Sequence, residues 1–396
     1  LPSFPYPNVT IRHLLTHTSG LPDLNIYEEL AHQFPDSIID NRSIIPTLRQ
    51  WQKPLHFTPG DKWRYCNTNY DLLALVIEKA SGLPFSDYLQ RHIFHPAGMR
   101  SSFVRTKKAK SVTPWVRPVW YSNDFVPSDS VARYRYINYN LSGLVGSTGI
   151  ITTLKDLLCF DAAVFSYQLL SKSSLELATT PVKLNDGTTY YEGSMDTFLG
   201  EGKGSYGMGW SLFDLPTLGK AVGHGGFNYG LFTFYFHRLA PAQTVIAFDN
   251  TASPTFARMV TSAALLLGGQ PHIGRPAKKS LARIYGMALK DSGPDAAIVL
   301  LNGLRADTAH YYLEERELNW LGYDFLRASF EGHLPLALET LKLNTVLFPN
   351  SFNVYDSYAE ALLKAGKKEL ARAMYQKSLL LNPENKGAVR ALEGLK

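Results

Sequence analysis

The chain has 396 residues, of which 45% are hydrophobic and 19% are charged, and its formal net charge is +6. This length exceeds what one ordinary hydrophobic core supports, so two or more domains are expected. No apolar run reaches the roughly 18 residues that a membrane span needs, and the basic residues form no stripe for nucleic acid. The two cysteines, Cys66 and Cys159, form neither a disulfide framework nor a zinc pattern.

A short helix over residues 11–16 is predicted near the start, because Thr10 can cap it and the segment Ser19-Gly20-Leu21-Pro22 makes a turn after it. His13 and His17 are four residues apart, which is a spacing that could chelate a metal. No Glu follows His13 and no third ligand is evident, so we expect packing and hydrogen-bonding histidines and no metal.

Residues 23–62 lack periodicity and are expected to be irregular. The following segment, residues 63–71, opens a helix whose apolar residues recur at helical spacing until Gly82 and Pro84 end it. Tyr65 lies two residues before Asn67 at the mouth of this helix, where a phenol and an amide can share one cleft. A desolvated phenol near ammonium groups can act as a general base, and an amide can orient a substrate carbonyl. The alternative is an ordinary helix start with aromatic packing.

Strand-like periodicity replaces helical periodicity between residues 200 and 250. Residues 221–226, 231–236 and 244–248 are predicted to be three short strands of an antiparallel meander. His224 is followed by Gly225 and Gly226, and glycines in a strand let a ligand approach the backbone closely. A purely structural histidine is the alternative. An apolar helix ending at Leu267 is expected to cover one face of this sheet.

Past Gly268 the chain is predicted to be helical and to contain a repeat of 34 residues. Residues 269–317 are expected to form a linker and a helical hairpin over Leu281–Leu304, and residues 318–351 and 352–385 to form two tetratricopeptide-like copies. A repeat array presents a surface, so a protein partner is possible there, whereas an unrelated helical bundle is the alternative. The matched pairs at this offset are Gly332 with Gly366, Leu336 with Leu370, Ala337 with Ala371, and Pro349 with Pro383.

Three motifs together resemble those of the serine β-lactamase-like hydrolases, the group of class C β-lactamases, DD-peptidases and esterases. The resemblance covers residues 1–268 and implies an α+β domain with an antiparallel sheet, followed by an all-α tetratricopeptide-like region over residues 318–396. The motifs are Ile11-Arg12-His13-Leu14-Leu15-Thr16-His17-Thr18-Ser19-Gly20-Leu21, then Tyr65-Cys66-Asn67, then His224-Gly225-Gly226.

The resemblance also implies roles for individual residues. Tyr65 is expected to be the general base or acid, Asn67 the amide that orients the substrate, and His224 the polar group on the strand that borders the substrate. Gly225, Gly226 and Phe227 are expected to bind substrate, with the backbone N–H of Phe227 contributing to an oxyanion hole. No cofactor and no metal are implied. The expected substrate is a small molecule or a peptide, in a periplasmic or extracytoplasmic location.

One departure from the family pattern concerns the nucleophile. The family carries it on a Ser-x-x-Lys motif upstream of the first motif, and no Ser-x-x-Lys occurs in these 396 residues. We therefore expect an N-terminal segment with two strands to be missing, and we expect this chain not to turn over β-lactams or esters, because acyl transfer needs an activated nucleophile. The alternatives are a non-catalytic binding protein acting through its helical repeats and a metallohydrolase using His13 and His17.

Overall fold

The computed structural model describes residues 4–105, 136, 139–191, 202–228, 231–250, 256–271, 278–328 and 330–395. The chain divides into two compact units. Within the described residues, the first unit comprises those up to 271 and the second comprises those from 278. The domain boundaries expected at residues 268 and 317 stay predictions.

The first unit begins with short helices packed around one longer helix. Thr10 caps the first of them, and its backbone N–H donates to Nδ1 of His13 at 3.2 Å. The expectation that residues 23–62 are irregular is wrong, because Asp23 and Asp40 each accept from a backbone N–H and start short helical turns that propensity alone does not indicate. The helices are α1 (Ile11–Leu15), α2 (Glu28–Gln33), α3 (Ile44–Trp51), α4 (Asn67–Ser81), α5 (Phe85–Leu89), α6 (His95–Ala97), α7 (Leu154–Phe165) and α8 (Lys172–Ala178).

A five-stranded antiparallel sheet follows, with strands in chain order across it. The three predicted strands are confirmed as its last three members, and two further strands precede them. These two are only four and five residues long, and the first, Lys203-Gly204-Ser205-Tyr206, contains no β-branched residue, so they carry little strand signal in the sequence. The strands are β3 (Lys203–Tyr206), β4 (Ser211–Leu215), β5 (Gly219–Asn228), β6 (Leu231–Leu239) and β7 (Ala242–Asp249); a separate pair consists of β1 (Phe103–Val104) and β2 (Ile150–Ile151).

Helices cover the two faces of this sheet in different ways. On one face α9 (Phe256–Leu267) packs through Val260 against Phe236 in an apolar cluster, as predicted for the helix ending at Leu267. On the opposite face Asp161 of α7 accepts hydrogen bonds from three side chains of β6 and β7. Those donors are Tyr235, Nδ1 of His237 at 2.8 Å and Oγ1 of Thr244 at 2.9 Å.

The second unit is helical, as predicted. Gly293 interrupts its first helix with a φ of 83°, and the hairpin expected over these residues stays a prediction. Gly332 and Gly366 both adopt left-handed conformations, with φ of 83° and 76°, and Ala337 and Ala371 are both fully buried. The tetratricopeptide-like assignment stays a prediction. The elements are α10 (Leu281–Leu304), α11 (Glu315–Arg327), α12 (His333–Leu347), α13 (Phe352–Lys364), α14 (Lys368–Leu381) and α15 (Lys386–Glu393), with a strand pair β8 (Lys279–Ser280) and β9 (Tyr311–Tyr312).

Hydropathy along the helices of the described ranges bears on membrane insertion. None of these helices combines the length and the apolar character that crossing a bilayer requires.

Helix α4 supplies the side chain on which the first core depends most clearly. Leu72 is 0% exposed and packs in the cluster formed by α1, α3 and α4. We expect Leu72→Ala to lower the free energy of unfolding by about 2–5 kcal/mol, because it removes buried methyl groups and leaves a cavity. Urea unfolding followed by circular dichroism measures this. Leu158→Ala is the matched control, since Leu158 is 52% exposed and its loss is expected to change stability by less than about 0.5 kcal/mol.

Candidate active site at the mouth of α4

Tyr65 lies just before α4, in an extended segment whose backbone is held by His17. The N–H of Arg64 donates to the carbonyl oxygen of His17 at 2.9 Å, and the N–H of Cys66 donates to Nδ1 of His17 at 3.2 Å. The ring of Tyr65 is 39% exposed, and its centroid is 4.2 Å from that of His17 and 6.0 Å from that of His224. The phenol and the strand imidazole are therefore neighbours, and the surroundings of Tyr65, His17 and His224 are called the cleft below.

Asn67 is the first residue of α4, and Asp23 fixes it. The backbone N–H of Asn67 donates to Oδ1 of Asp23 at 2.9 Å, and its Nδ2 donates to Oδ2 at 3.1 Å. A carboxylate at a helix N-terminus is favourable because it meets the unpaired N–H groups and the positive end of the helix dipole. The bond to Oδ2 uses one of the two N–H donors of the Asn67 amide.

His224 lies in β5 with both ring nitrogens engaged. Its Nδ1 is 2.6 Å from the carbonyl oxygen of Gly225, which can only accept, so Nδ1 carries the proton. Burial lowers the pKa of His224, so the ring is neutral and its Nε2 accepts from the hydroxyl of Tyr206 at 3.2 Å. The structure thus presents the polar, uncharged form of the group expected on this strand.

The residues after His224 extend β5 past the end of β4. Strand β4 pairs with β5 only as far as Gly223, whereas the pairing with β6 continues to Asn228. Gly226 lies opposite Thr233, and a Cβ on it would come within 2.3 Å of the Thr233 hydroxyl, so a larger residue here would require the Thr233 side chain to move. Gly225 and Phe227 are exposed along the same stretch, so the three predicted substrate-binding residues follow one another along the strand that carries His224.

The sequence did not place Asp23 or Tyr206 in the cleft, and of His17 we expected only that it packs and forms hydrogen bonds. His17 packs among aromatic rings, Asp23 holds Asn67, and Tyr206 donates to His224. Tyr206 is buried at the end of β3, with its ring centroid 4.9 Å from that of His17. Each acts through a contact between segments distant in the chain, and the only local signal is the Pro22-Asp23 turn ahead of a helical segment.

The His13 and His17 side chains serve different segments. His13 accepts from the N–H of Thr10 within its own helix cap, whereas His17 is 1% exposed and accepts from Cys66. Within the described ranges, no group of three or more His, Cys, Asp or Glu side chains is arranged to hold a metal ion.

The pKa of Tyr65 is raised to about 12, by burial first and then by the neighbouring Asp23, Cys66 and Asp71. Solvent moderates this shift because part of the ring is exposed. Every one of these influences favours the neutral phenol, so at neutral pH Tyr65 is a proton donor in this environment. A role as base requires a cation close to its hydroxyl.

Two buried groups near Tyr65 titrate in opposite senses. Burial, with a contribution from His224, lowers the pKa of His17 to about 3. Burial raises the pKa of Asp71 to about 7, although Ser147 donates to it through both its N–H and its hydroxyl. The unfolded chain therefore binds more protons than the folded one at His17 between pH 6.5 and 3, and fewer at Asp71 between pH 3.8 and 7.

Replacing His17 or Asp71 is expected to change how the free energy of unfolding depends on pH, in opposite directions for the two residues. The stability advantage of the wild type over His17→Asn is expected to shrink as pH falls from 7 to 5, by up to about 1.4 kcal/mol per pH unit, because the unfolded histidine gains a proton. Compared with Asp71→Asn, the wild type is expected to lose stability as pH rises from 4 to 7, because the carboxyl ionises in the unfolded chain while the buried one stays protonated. Urea unfolding at several pH values measures both differences, and parallel pH curves for wild type and variant contradict the assignment.

Asp23 gives a second prediction, about the ionisation of Tyr65. We expect Asp23→Asn to lower the pKa of the Tyr65 phenol, because the variant removes a negative charge that opposes phenolate formation. Spectrophotometric titration between pH 8 and 11, with the Tyr65→Phe signal subtracted, detects the earlier ionisation. Asp61→Asn is the control, since the Asp61 carboxylate binds Asn185 and is not among the groups that shift Tyr65.

Comparison with known proteins places this geometry among relatives. Penicillin-binding protein 4* of Bacillus subtilis is 35% identical over 320 residues, which are 76% of this chain and 67% of that protein. A D-aminopeptidase of Cereibacter sphaeroides is 24% identical over 311 residues, which are 78% of this chain and 53% of that protein. The chain thus spans about two thirds of the first relative and about half of the second.

The solved structures show a similar fold. The penicillin-binding protein from Bacillus halodurans superposes with a TM-score of 0.51 at 23% identity, covering 66% of this chain and 74% of that one. This likeness shows the fold alone. The family profile described as Beta-lactamase matches residues 1–267, and it covers every residue of the cleft. The chain therefore belongs to the Beta-lactamase family, among serine hydrolase-like relatives that include penicillin-binding proteins and D-aminopeptidases.

Proposed function

We propose that the first unit is the substrate-facing part of a serine hydrolase that cleaves an amide or ester through an acyl-serine. The observation that carries this proposal is the 6.0 Å separation of the Tyr65 and His224 rings, with Asn67 two residues from Tyr65 at the mouth of α4. These groups come from distant parts of the chain, and ordinary packing at a helix start does not require an imidazole from the central strand of the sheet beside the phenol.

Each predicted site residue has a chemical task in this proposal. Tyr65 transfers a proton to or from the reacting group, and the free N–H of the Asn67 amide orients the substrate carbonyl. His224 fixes the strand through its bond to the Gly225 carbonyl. The exposed stretch of Gly225, Gly226 and Phe227 lies along the substrate, and the N–H of Phe227 stabilises the developing oxyanion.

The nucleophile is the part that these residues do not supply. We propose that it is a serine of a Ser-x-x-Lys segment, a motif that the 396 residues do not contain. The lysine of that motif has a physical role at Tyr65, because an ammonium group within about 4–6 Å favours the phenolate and lowers its pKa. Without that cation the phenol stays protonated, so the chain by itself is proposed to be inactive.

The substrate is proposed to be a small molecule or peptide with an amide or ester bond. The relatives' names mention penicillin binding and D-aminopeptidase activity, and an esterase of Burkholderia gladioli is 34% identical over 118 residues. Small pocket differences decide among such substrates. A periplasmic or extracytoplasmic location is proposed on the same grounds, because penicillin-binding proteins act outside the cytoplasm.

A non-catalytic binding protein is the second candidate. It is favoured by the missing Ser-x-x-Lys and by the equivalent conformations of Gly332 and Gly366 in successive helical hairpins. In that case the second unit, read as tetratricopeptide-like repeats, binds a protein partner through its surface.

Labelling with a fluorescent penicillin separates the two candidates. The 396-residue chain is expected to remain unlabelled and to leave nitrocefin and p-nitrophenyl acetate at background, because it lacks the acylating serine. Joining a Ser-x-x-Lys segment of the family ahead of Leu1 is expected to create labelling that Tyr65→Phe reduces by at least about 100-fold, the usual contribution of a general acid or base.

Tyr88→Phe is the matched control, since Tyr88 contacts His92 in another part of the first unit. If the joined protein is labelled equally well with and without Tyr65→Phe, the assignment of Tyr65 is wrong. Turnover by the unmodified chain overturns the proposal that its nucleophile is missing.

A further inference from the structure

His17 is buried beside Tyr65, and no step of the proposed chemistry uses it. Its side chain is 1% exposed and is surrounded by aromatic rings. The ring centroids of Trp63, Tyr65, Tyr70 and Tyr206 lie 6.1, 4.2, 5.1 and 4.9 Å from that of His17.

The backbone contacts of His17 bracket Tyr65. The residue before Tyr65 donates its N–H to the His17 carbonyl oxygen at 2.9 Å, and the residue after it donates its N–H to the His17 Nδ1 at 3.2 Å. In an extended segment the N–H groups of residues two apart point to the same side, so one residue can receive both. Tyr65 lies between the two bonded positions, and its ring packs on the imidazole that accepts one of them.

The conformation of His17 is unusual for a residue with a side chain. Its φ is 57°, in the left-handed region, which costs free energy for any residue other than glycine. Such conformations persist where surrounding contacts determine them, and they cluster at functional sites. In this conformation the carbonyl oxygen and Nδ1 of His17 both accept hydrogen bonds from the segment that carries Tyr65.

The tautomer of His17 follows from these contacts. Because Nδ1 accepts the Cys66 N–H, the proton of the neutral ring must lie on Nε2. Asn69, whose Nδ2 is 3.3 Å from the same Nδ1, supports this, since its Oδ1 is occupied by the hydroxyl of Ser19. In the described part of the chain, Nε2 has no hydrogen-bond partner. The polar contacts of the ring are therefore made through Nδ1, and its other contacts are with aromatic rings.

We propose that His17 is a positioning residue that holds the Tyr65 phenol in the cleft through the backbone on both sides of that tyrosine. The inference rests on the role proposed above for Tyr65. Replacing His17 therefore disturbs the orientation of Tyr65 and leaves the sheet that carries His224 in place.

Nuclear magnetic resonance on the full chain tests this without substrate. With 3-fluorotyrosine incorporated and the Tyr65 signal assigned from Tyr65→Phe, the wild type is expected to give one sharp Tyr65 resonance. His17→Phe keeps a ring but removes the acceptor, so the Tyr65 resonance is expected to broaden and the Cys66 amide to exchange about tenfold faster. His17→Asn is expected to restore both, since Asn tolerates the left-handed region and its Oδ1 can accept.

His13→Phe is the matched control, because it removes the same kind of N–H to Nδ1 bond, from Thr10 in the preceding turn, without touching Tyr65. Unchanged Tyr65 and Cys66 signals in His17→Phe, or equal changes in His13→Phe, overturn the proposal. If His17→Phe does not fold, the ¹⁵N shifts of the wild-type imidazole decide. A proton on Nε2 is expected, and a proton on Nδ1 overturns the proposal. These readouts need no acylation, so they stand or fall separately from the penicillin labelling.

Discussion

Removal of water from the cleft at the mouth of α4 determines the protonation of the groups that line it. Burial raises the pKa values of Tyr65 and Asp71 and lowers those of His17 and His224. All four shifts favour the uncharged form. These four groups of the cleft are therefore neutral donors and acceptors. A cation placed beside Tyr65 would find one carboxylate nearby, that of Asp23, and would otherwise act mainly on the phenol.

Hydrogen bonds to the backbone give the two histidines opposite tautomers in this environment. His17 accepts at Nδ1 from Cys66, while His224 donates from Nδ1 to Gly225 and accepts at Nε2 from Tyr206. The two rings lie on different sides of the cleft, with His17 at the mouth of α4 and His224 on β5. In both histidines a hydrogen bond with the main chain determines which ring nitrogen carries the proton, and that in turn determines how each ring can contact the other groups of the proposed mechanism.

The sequence was informative where the signal is local. Periodicity located α4, the last three strands and the helical second unit, and the short motifs singled out Tyr65, Asn67 and His224, whose roles stay predictions. Local patterns failed where a distant partner decides the structure. The turns started by Asp23 and Asp40 are too short for periodicity, and nothing near Tyr206 or His17 in the chain indicates that they meet across more than 180 residues. Tertiary contacts, and not propensity, assign those positions.

The carboxylate of Asp161 has a dynamic consequence for the cleft. One side chain of α7 receives bonds from Tyr235, His237 and Thr244 on two adjacent strands, and Tyr235 lies directly opposite His224 in the β5–β6 ladder. Detaching the helix would break all three of these hydrogen bonds at once, which makes partial opening costly. These bonds couple the helix to the two strands, so the strand opposite His224 is expected to open together with α7 and not by itself.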